Sequence, residues 1–313
     1  MAANVCAMSS MSQARRRGPF EEGDLVQLTD PKGKLHTITL TPGKVFHTHR
    51  GQLPHDDIIG APDGSLIASS NGSSYLVLRP LLDDFVLSMP RGAAVVYPKD
   101  AARIVGLANL HPGSRVVEAG VGSGALSCSL LRAVGDDGIL HSFERREDFA
   151  IIAQKNVEQW FGMRPENWTV TVGDLAHELN DRDVDAVILD MLAPWDCLEA
   201  AAEALAPGGV IVIYVATATQ MSKTVETARV MGIWTEPRAE ESMVRTWHLE
   251  GLSVRPDHRM NGHTGFLVTM RRLAPGTILP IRRRRPAPGA YGEDYLGPGA
   301  EPRGEEAQPG LES

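Results

Sequence analysis

The sequence predicts an α/β protein, a mostly parallel, doubly wound sheet preceded by a small antiparallel β unit. Three observations predict it. Between residues 115 and 218, β-branched runs alternate with helical ones, which implies βαβ units. The first of these runs ends in a glycine-rich turn that opens a helix. Residues 20–79 break instead into short apolar stretches divided by turn signals. The 313 residues are 42% hydrophobic and 22% charged, enough for a sizeable core and far from the composition of a disordered chain.

Residues 1–19 mix Met, Ser, Ala and Arg without periodicity and are expected to be mobile. Their Arg15-Arg16-Arg17 follows the mildly apolar stretch, the wrong order for a secretory signal. The small β domain, 20–79, sets LVQL, LHTITL, KVFHTH, SLIAS and YLVL between the turns DPKGK, TPGK, APDG and SNG. A connector, 80–97, leads to a second domain, 98–275. There Ala101, Ile104, Val105 and Ala108 recur at i, i+3, i+4, i+7, so 99–110 reads as an amphipathic helix stopped by His111-Pro112-Gly113. Strand-like RVVEA is followed by helix-like ALSCSLLRAV, strand-like ILHSFE, and a helix from Asp148 with Phe149, Ile152, Ala153 and Trp160 on one face. Strand-like TVTVGD, DAVILD and GVIVIYVA come next, the last two separated by a helix over 197–205. Residues 248–273 read as extended, with GFLVTMRRL the clearest strand, so an antiparallel pair closing the sheet edge is expected. Residues 276–313 form a Pro/Gly/Arg-rich tail, expected to be mobile.

Composition also excludes. A net charge of −8 argues against a simple basic nucleic-acid module, although local basic clefts remain open. Cys6, Cys128 and Cys197 are odd in number and lack CxxC spacing, which suggests neither a disulfide framework nor structural zinc and fits a reducing, cytoplasmic compartment. The longest apolar run, 210–218, is too short to span a bilayer.

Gly120, Gly122 and Gly124 directly follow a strand and open a helix, where backbone N–H groups can approach a ligand. Gly120, Gly122 and Ala125 equally fit the dinucleotide pattern G-x-G-x-x-A, and a tight turn without a ligand is a third reading. The acids at successive strand ends separate these: Glu118, Glu144, Asp174 and Asp190. Ligands of a doubly wound sheet bind outside the carboxyl ends of its strands. A crevice lined by four acids repels a pyrophosphate and welcomes a sulfonium with an ammonium group, which favours S-adenosylmethionine over NAD. Taken singly, Glu118 could cap the following turn and Asp174 the next short helix.

With these motifs read, the chain resembles class I S-adenosylmethionine-dependent methyltransferases, and more closely the tRNA adenine-N1 methyltransferases that modify adenine 58 of the T-loop. The resemblance runs over about 20–273. It rests on FEEGDLVQL, KGKLHTITL, GKVFHTHRGQLPHDDIIG, VVYPKDAARIV, VVEAGVGSGALS, VILDMLAPW and RMNGHTGFLVTMRRL, among which YPKD, DMLAPW and GHTGF are the specific elements. It implies a Rossmann-like class I methyltransferase sheet. Ser123, Gly124, Ala125 and Leu126 would line the methionine side of the cofactor, Glu144 would bind its ribose, Asp174 and Leu175 its adenine, and Asp190 would face the target base. Ala94 departs from the family, where a polar residue such as Gln is expected.

The chemistry stands apart from the name. N1 of adenine carries a free lone pair and can attack a sulfonium methyl in line without first losing a proton, so positioning and a fixed anion near the base are what catalysis needs. Asp190 and Tyr97 are the expected catalytic residues, with Tyr97 and Trp195 candidates to border the base; core filling is an equal reading of Trp195. N1 lies on the pairing edge, so the nucleotide must be extruded. His47, His49 and His55 could approach a metal, yet surface or interface histidines are the favoured reading and no metal is expected. The rivals are an NAD-dependent oxidoreductase and a non-catalytic tRNA-binding subunit. Because one acidic subunit offers RNA no broad basic face, a homotetramer is expected, as the resemblance implies. It would bring together Lys32, Lys34, Lys44 and Arg50 with the Arg271-Arg272 pair; the arginines of 282–285 could add phosphate contacts, although a solvated tail is their default reading.

Overall fold

The computed structural model describes residues 17–92 and 94–279. Cys6, most of the two terminal segments and the 282–285 arginines therefore lie outside the described residues.

The N-terminal unit contains β1 (Leu25–Thr29), β2 (Leu35–Thr39), β3 (Val45–Thr48), β4 (Gly51–Pro54), β5 (Ser65–Ala68) and β6 (Ser74–Leu78). Four of them make an antiparallel sheet in the order β2-β1-β6-β5, and β3 and β4 pair as a separate hairpin. Phe20, Val26, Leu28, Leu53, Tyr75 and Val77 form its own core. The expected connector holds a helix, α1 (Leu82–Ser88), because Leu82, Phe85, Val86 and Met89 fall on one buried stripe.

The larger unit opens with α2 (Pro98–Leu107), which has Pro at its first turn, where no backbone donor is lost. There follow β7 (Arg115–Ala119), α3 (Ala125–Val134), β8 (Ile139–Glu144), α4 (Glu147–Phe161), β9 (Trp168–Val172), α5 (Leu175–Glu178) and β10 (Val184–Asp190). The expected 197–205 helix is α6 (Leu198–Ala204), entered through a 3-10 turn at Pro194–Cys197. β11 (Leu205–Val215), α7 (Ala218–Met231), β12 (Arg238–Glu240), β13 (Trp247–Glu250), β14 (Ser253–Pro256) and β15 (Phe266–Arg271) complete the chain. The seven-stranded sheet runs β12-β15-β11-β10-β7-β8-β9, parallel from β11 through β9.

The antiparallel edge is present, but its outer member is β12 rather than anything after residue 248. Among the described residues β13 and β14 pair only with each other, as a hairpin arm separate from the seven-stranded sheet. β7 and β10 are neighbours, so the strand order reverses between them, and that reversal opens a crevice at their carboxyl ends.

Candidate active site

Successive side chains of a strand face opposite sides of the sheet. Glu118, Glu144, Asp190 and Tyr214 share the parity of Val116, Leu140, Ile188 and Val212, residues of the core that also takes in Ala101 and Ile104 of α2 and Cys128 and Leu131 of α3. Pairing of Ala119 with both Leu189 and Phe143, and of Asp190 with Tyr214, sets the ends of β8, β7, β10 and β11 level. The strands can close here because residue 120 is glycine. It adopts φ +88°, and a Cβ at that position would fall inside the Asp190 carbonyl oxygen.

Three of the four expected acids converge. Glu118 lies one residue before the end of β7 and is fully buried, not at the mouth of the turn. Its Oε2 accepts from Ser127 Oγ and Ser142 Oγ, both at 2.7 Å, while Oε1 has no hydrogen-bond partner among the described residues. Burial pushes its carboxyl up to about 7 against those two hydrogen bonds, and the charges of Asp190 and Glu144 push the same way. Glu144 accepts the Gly122 amide on Oε2 and the Arg146 amide on Oε1, each at 3.0 Å, and so stitches the glycine turn to the end of β8. Asp190 is likewise pushed up to about 7, by burial and then by Glu144. The fourth acid is engaged differently. Asp174 Oδ1 caps α5 through the Ala176 amide, and its Oδ2 accepts from Arg145 Nη2 at 2.6 Å.

Ser123 is buried, its Oγ has no partner among the described residues, and its carbonyl accepts from Asn156 Nδ2 at 2.9 Å. Gly124, at φ +78°, lets the turn pack on the Ala153 backbone of α4. Ala125 and Leu126 are buried in the first turn of α3, and Leu175 belongs to the core on the other face of the sheet. Tyr97, half-buried, is the residue that caps α2. Trp195 is half-buried, with Lys223 Nζ 4.0 Å from its ring centroid, so neither simple core filling nor a free stacking face describes it.

Two expectations need correction. Arg271 pairs with Val210, four residues back from Tyr214 and so ~13 Å from the crevice end of the sheet. Arg271 Nε bonds the Gly208 carbonyl and Arg272 Nε the Ala202 carbonyl, so within one subunit the pair straps the opposite end of the sheet and does not border the crevice. His55 is buried and its Nδ1 accepts the Thr41 amide at 3.0 Å, so it serves the β unit's packing.

Sequence reasoning missed a cluster beside Asp190. Asp100 is fully buried and accepts from Lys99 Nζ (2.7 Å), Ser242 Oγ (2.7 Å) and Thr264 Oγ1 (2.6 Å). Tyr214 OH donates to the Thr264 carbonyl at 2.7 Å. Its hydroxyl is pushed up to about 12 by burial first, with Asp100, Asp190 and Tyr97 adding their influence. The signal was in view: YPKD and GHTGF supply Tyr97, Lys99, Asp100 and Thr264, but only the first of these had been given a task.

Comparison with known proteins agrees with this fold. The family model described as TrmI-like N-terminal matches residues 18–67, and the tRNA methyltransferase complex GCD14 subunit model matches residues 74–255. The tRNA (adenine(58)-N(1))-methyltransferase TrmI of Thermus thermophilus is 38% identical over 246 residues, 78% of this chain and 95% of the relative. The tRNA (adenine(57)-N(1)/adenine(58)-N(1))-methyltransferase TrmI of Methanocaldococcus jannaschii is 31% identical over 268 residues, 78% and 93% of the two chains. Among solved structures, the tRNA (m1A58) methyltransferase TrmI of Aquifex aeolicus superposes with a TM-score of 0.71 at 29% identity, covering 82% of this chain and all of the other. A Thermotoga maritima protein described as a SAM-dependent O-methyltransferase reaches 0.77 at 30% identity, covering 85% and 96%.

The burial of Glu118 has a consequence for stability. Burial pushes its carboxyl up to about 7 in the folded state from an ordinary value of 4.5, so the folded state holds this proton more tightly. Stability associated with the group is complete below pH 4.5 and is lost as pH rises through 7. Glu118→Gln should therefore stabilise the fold at pH 8 by up to ~3 kcal/mol and raise the melting temperature there, and leave it unchanged at pH 4. Thermal melts at the two pH values check this; equal effects at both would contradict it.

Proposed function

The chain belongs to the tRNA (adenine-N1)-methyltransferase family, and from that premise we propose that it methylates N1 of adenine 58 in the T-loop of tRNA. The observation that carries the reading is the convergence of Glu118, Glu144 and Asp190 around a glycine turn at the sheet's switch point. Three carboxylates on one face suit a ligand with a cationic centre and oppose a pyrophosphate, which speaks against the oxidoreductase rival. The buried, unpartnered Glu118 Oε1 and Ser123 Oγ fit a polar ligand lying against the turn. S-adenosylmethionine fits on both counts and supplies, when bound, a methyl on a positively charged sulfur.

The residues divide the work. Gly120, Gly122 and Gly124 leave the backbone open, and residues 123–126 stand at the methionine end. Glu144 holds the ribose while keeping the turn in place through Gly122, and Asp174 and Leu175 receive the adenine end. Asp190 accepts a hydrogen bond from the exocyclic amine of the target adenine and stabilises the positive charge that appears on the purine as N1 is alkylated. No side chain needs to remove a proton from N1. Tyr97 borders the base from the N-cap of α2. Intact glycine turn and Asp190 together argue against a non-catalytic subunit.

We also propose a homotetramer working in the cytoplasm, a reading that the hairpin arm supports. Trp247 is 55% exposed and Leu249 73%, with Met243, Leu252 and Val254 also exposed, a gathering of large apolar side chains on one arm that a partner subunit would cover. Cys128 and Cys197 are buried free thiols, and among the described residues no helix is long and apolar enough to cross a membrane.

Incubation of the protein with labelled S-adenosylmethionine and unmodified tRNA, followed by nucleoside analysis, should yield 1-methyladenosine at position 58; label in another nucleoside would refute the reading. Asp190→Ala should lower kcat by ~10²–10³ while cofactor affinity holds, and near-normal turnover would remove Asp190 from the mechanism. Trp247→Glu with Leu249→Glu should shift the tetramer seen by light scattering to smaller species, whereas a wild-type protein of monomer mass would refute the assembly.

A further inference from the structure

The Lys99–Asp100 cluster reaches beyond the pocket. Glu240, Glu241 and Ser242, the three residues at the root of the hairpin arm, are each tied to a different part of the site. Arg103, one turn along α2 from Lys99, pairs with Glu240 through both guanidinium nitrogens in reach. His263 Nδ1 meets Glu241 Oε1 at 2.6 Å, and its Nε2 meets the carbonyl of Ala216, just past the end of β11. Burial lowers the His263 pKa less than the Glu241 carboxylate and the Ala216 carbonyl raise it. Ser242 donates to Asp100 and receives Lys99 Nζ on its carbonyl at 2.7 Å.

These ties end on the two tyrosines. Asp100 and Lys99 sit in the first turn of α2, immediately after Tyr97. Thr264 donates to Asp100 and accepts Lys99 Nζ through its hydroxyl, and accepts Tyr214 OH on its carbonyl. Gly265 lies against the Tyr214 ring so closely that a Cβ there would overlap it. A fully buried carboxylate with one cation and two hydroxyls as partners has a single low-energy arrangement, because losing any partner leaves charge or donor unmatched in a dry site.

We propose that Asp100, with Lys99 and Thr264, is a positioning clasp that transmits the posture of the hairpin arm to Tyr97 and Tyr214, and so sets the wall against which the target adenine is held. The clasp touches neither methyl donor nor base; it acts through the two tyrosines. This rests on the reading of Asp190 and Tyr97 given above. Its parts come from segments 142 to 165 residues apart, so it forms only when arm root, α2 and the loop before β15 are all seated.

The test uses the full chain with tRNA. Asp100→Asn preserves shape and removes the charge that orders the donors, and should lower single-turnover kcat at least 10-fold with cofactor affinity within 3-fold of wild type. Thr264→Val should do the same more mildly, and Thr264→Ser, which keeps the hydroxyl, should restore the rate. In a double-mutant cycle, Asp100→Asn should have almost no further effect once Tyr97 is Ala. Additive losses in that cycle, or a wild-type rate in both Asp100→Asn and Thr264→Val, would overturn the clasp. Should Asp100→Asn fail to fold, Thr264→Val and Thr264→Ser carry the decision. A wild-type protein that methylates no tRNA would refute the functional reading itself, an outcome separate from failure of the clasp.

Discussion

The site depends on an absence at residue 120. β7 and β10 meet so closely that the Asp190 carbonyl occupies the space a side chain on residue 120 would need, and only glycine also tolerates the positive φ of the turn there. Everything functional follows from that approach. It levels the ends of four strands, brings Asp190 beside the glycine turn, and lets Glu144 reach back to the Gly122 amide. A larger residue would separate the strand ends and dissolve the crevice before any ligand arrived.

Bringing the strand ends together concentrates negative charge. Glu118 and Asp190 are both pushed up to about 7, chiefly by burial and then by neighbouring carboxylates. Such a crevice is poised: it is costly when fully ionised and empty, and relieved by a cation. The same electrostatics that disfavour a dinucleotide favour a sulfonium, and after methyl transfer the positive charge moves from sulfur to the purine, towards Asp190. Ground-state binding and transition-state stabilisation are thus served by one set of acids.

Much of this was legible in the sequence. Arg115–Ala119, Ala125–Val134 and Ile139–Glu144 are the elements expected from their periodicity, because local pattern and tertiary burial agree there. Two helices were legible and overlooked. Leu82, Phe85, Val86 and Met89 mark α1, and α7 has both an inward stripe of Met221, Val225 and Ala228 and a Thr217–Gln220 capping box. The strand-end acids pointed to the crevice, but not to Asp174 being held by Arg145 or Glu118 lying under α3. The Asp100 clasp was legible only in part: YPKD and GHTGF mark its residues, but no periodicity links a helix's first turn to a distant loop, so their pairing was not. The arm was misplaced for a related reason: its strands alternate like any edge pair, and only the three-dimensional path shows that they leave the sheet.

The central claim is that carboxylates crowded at the strand ends recognise a cation. Calorimetric titration of the protein with S-adenosylmethionine, repeated at pH 7 in buffers of different ionisation enthalpy, measures this directly. A bound cation should lower the Glu118 and Asp190 pKa values and expel a measurable fraction of a proton, while S-adenosylhomocysteine, which lacks the charge on sulfur, should expel less and bind more weakly. Binding enthalpies independent of buffer, or equal proton release with the two ligands, would contradict the account.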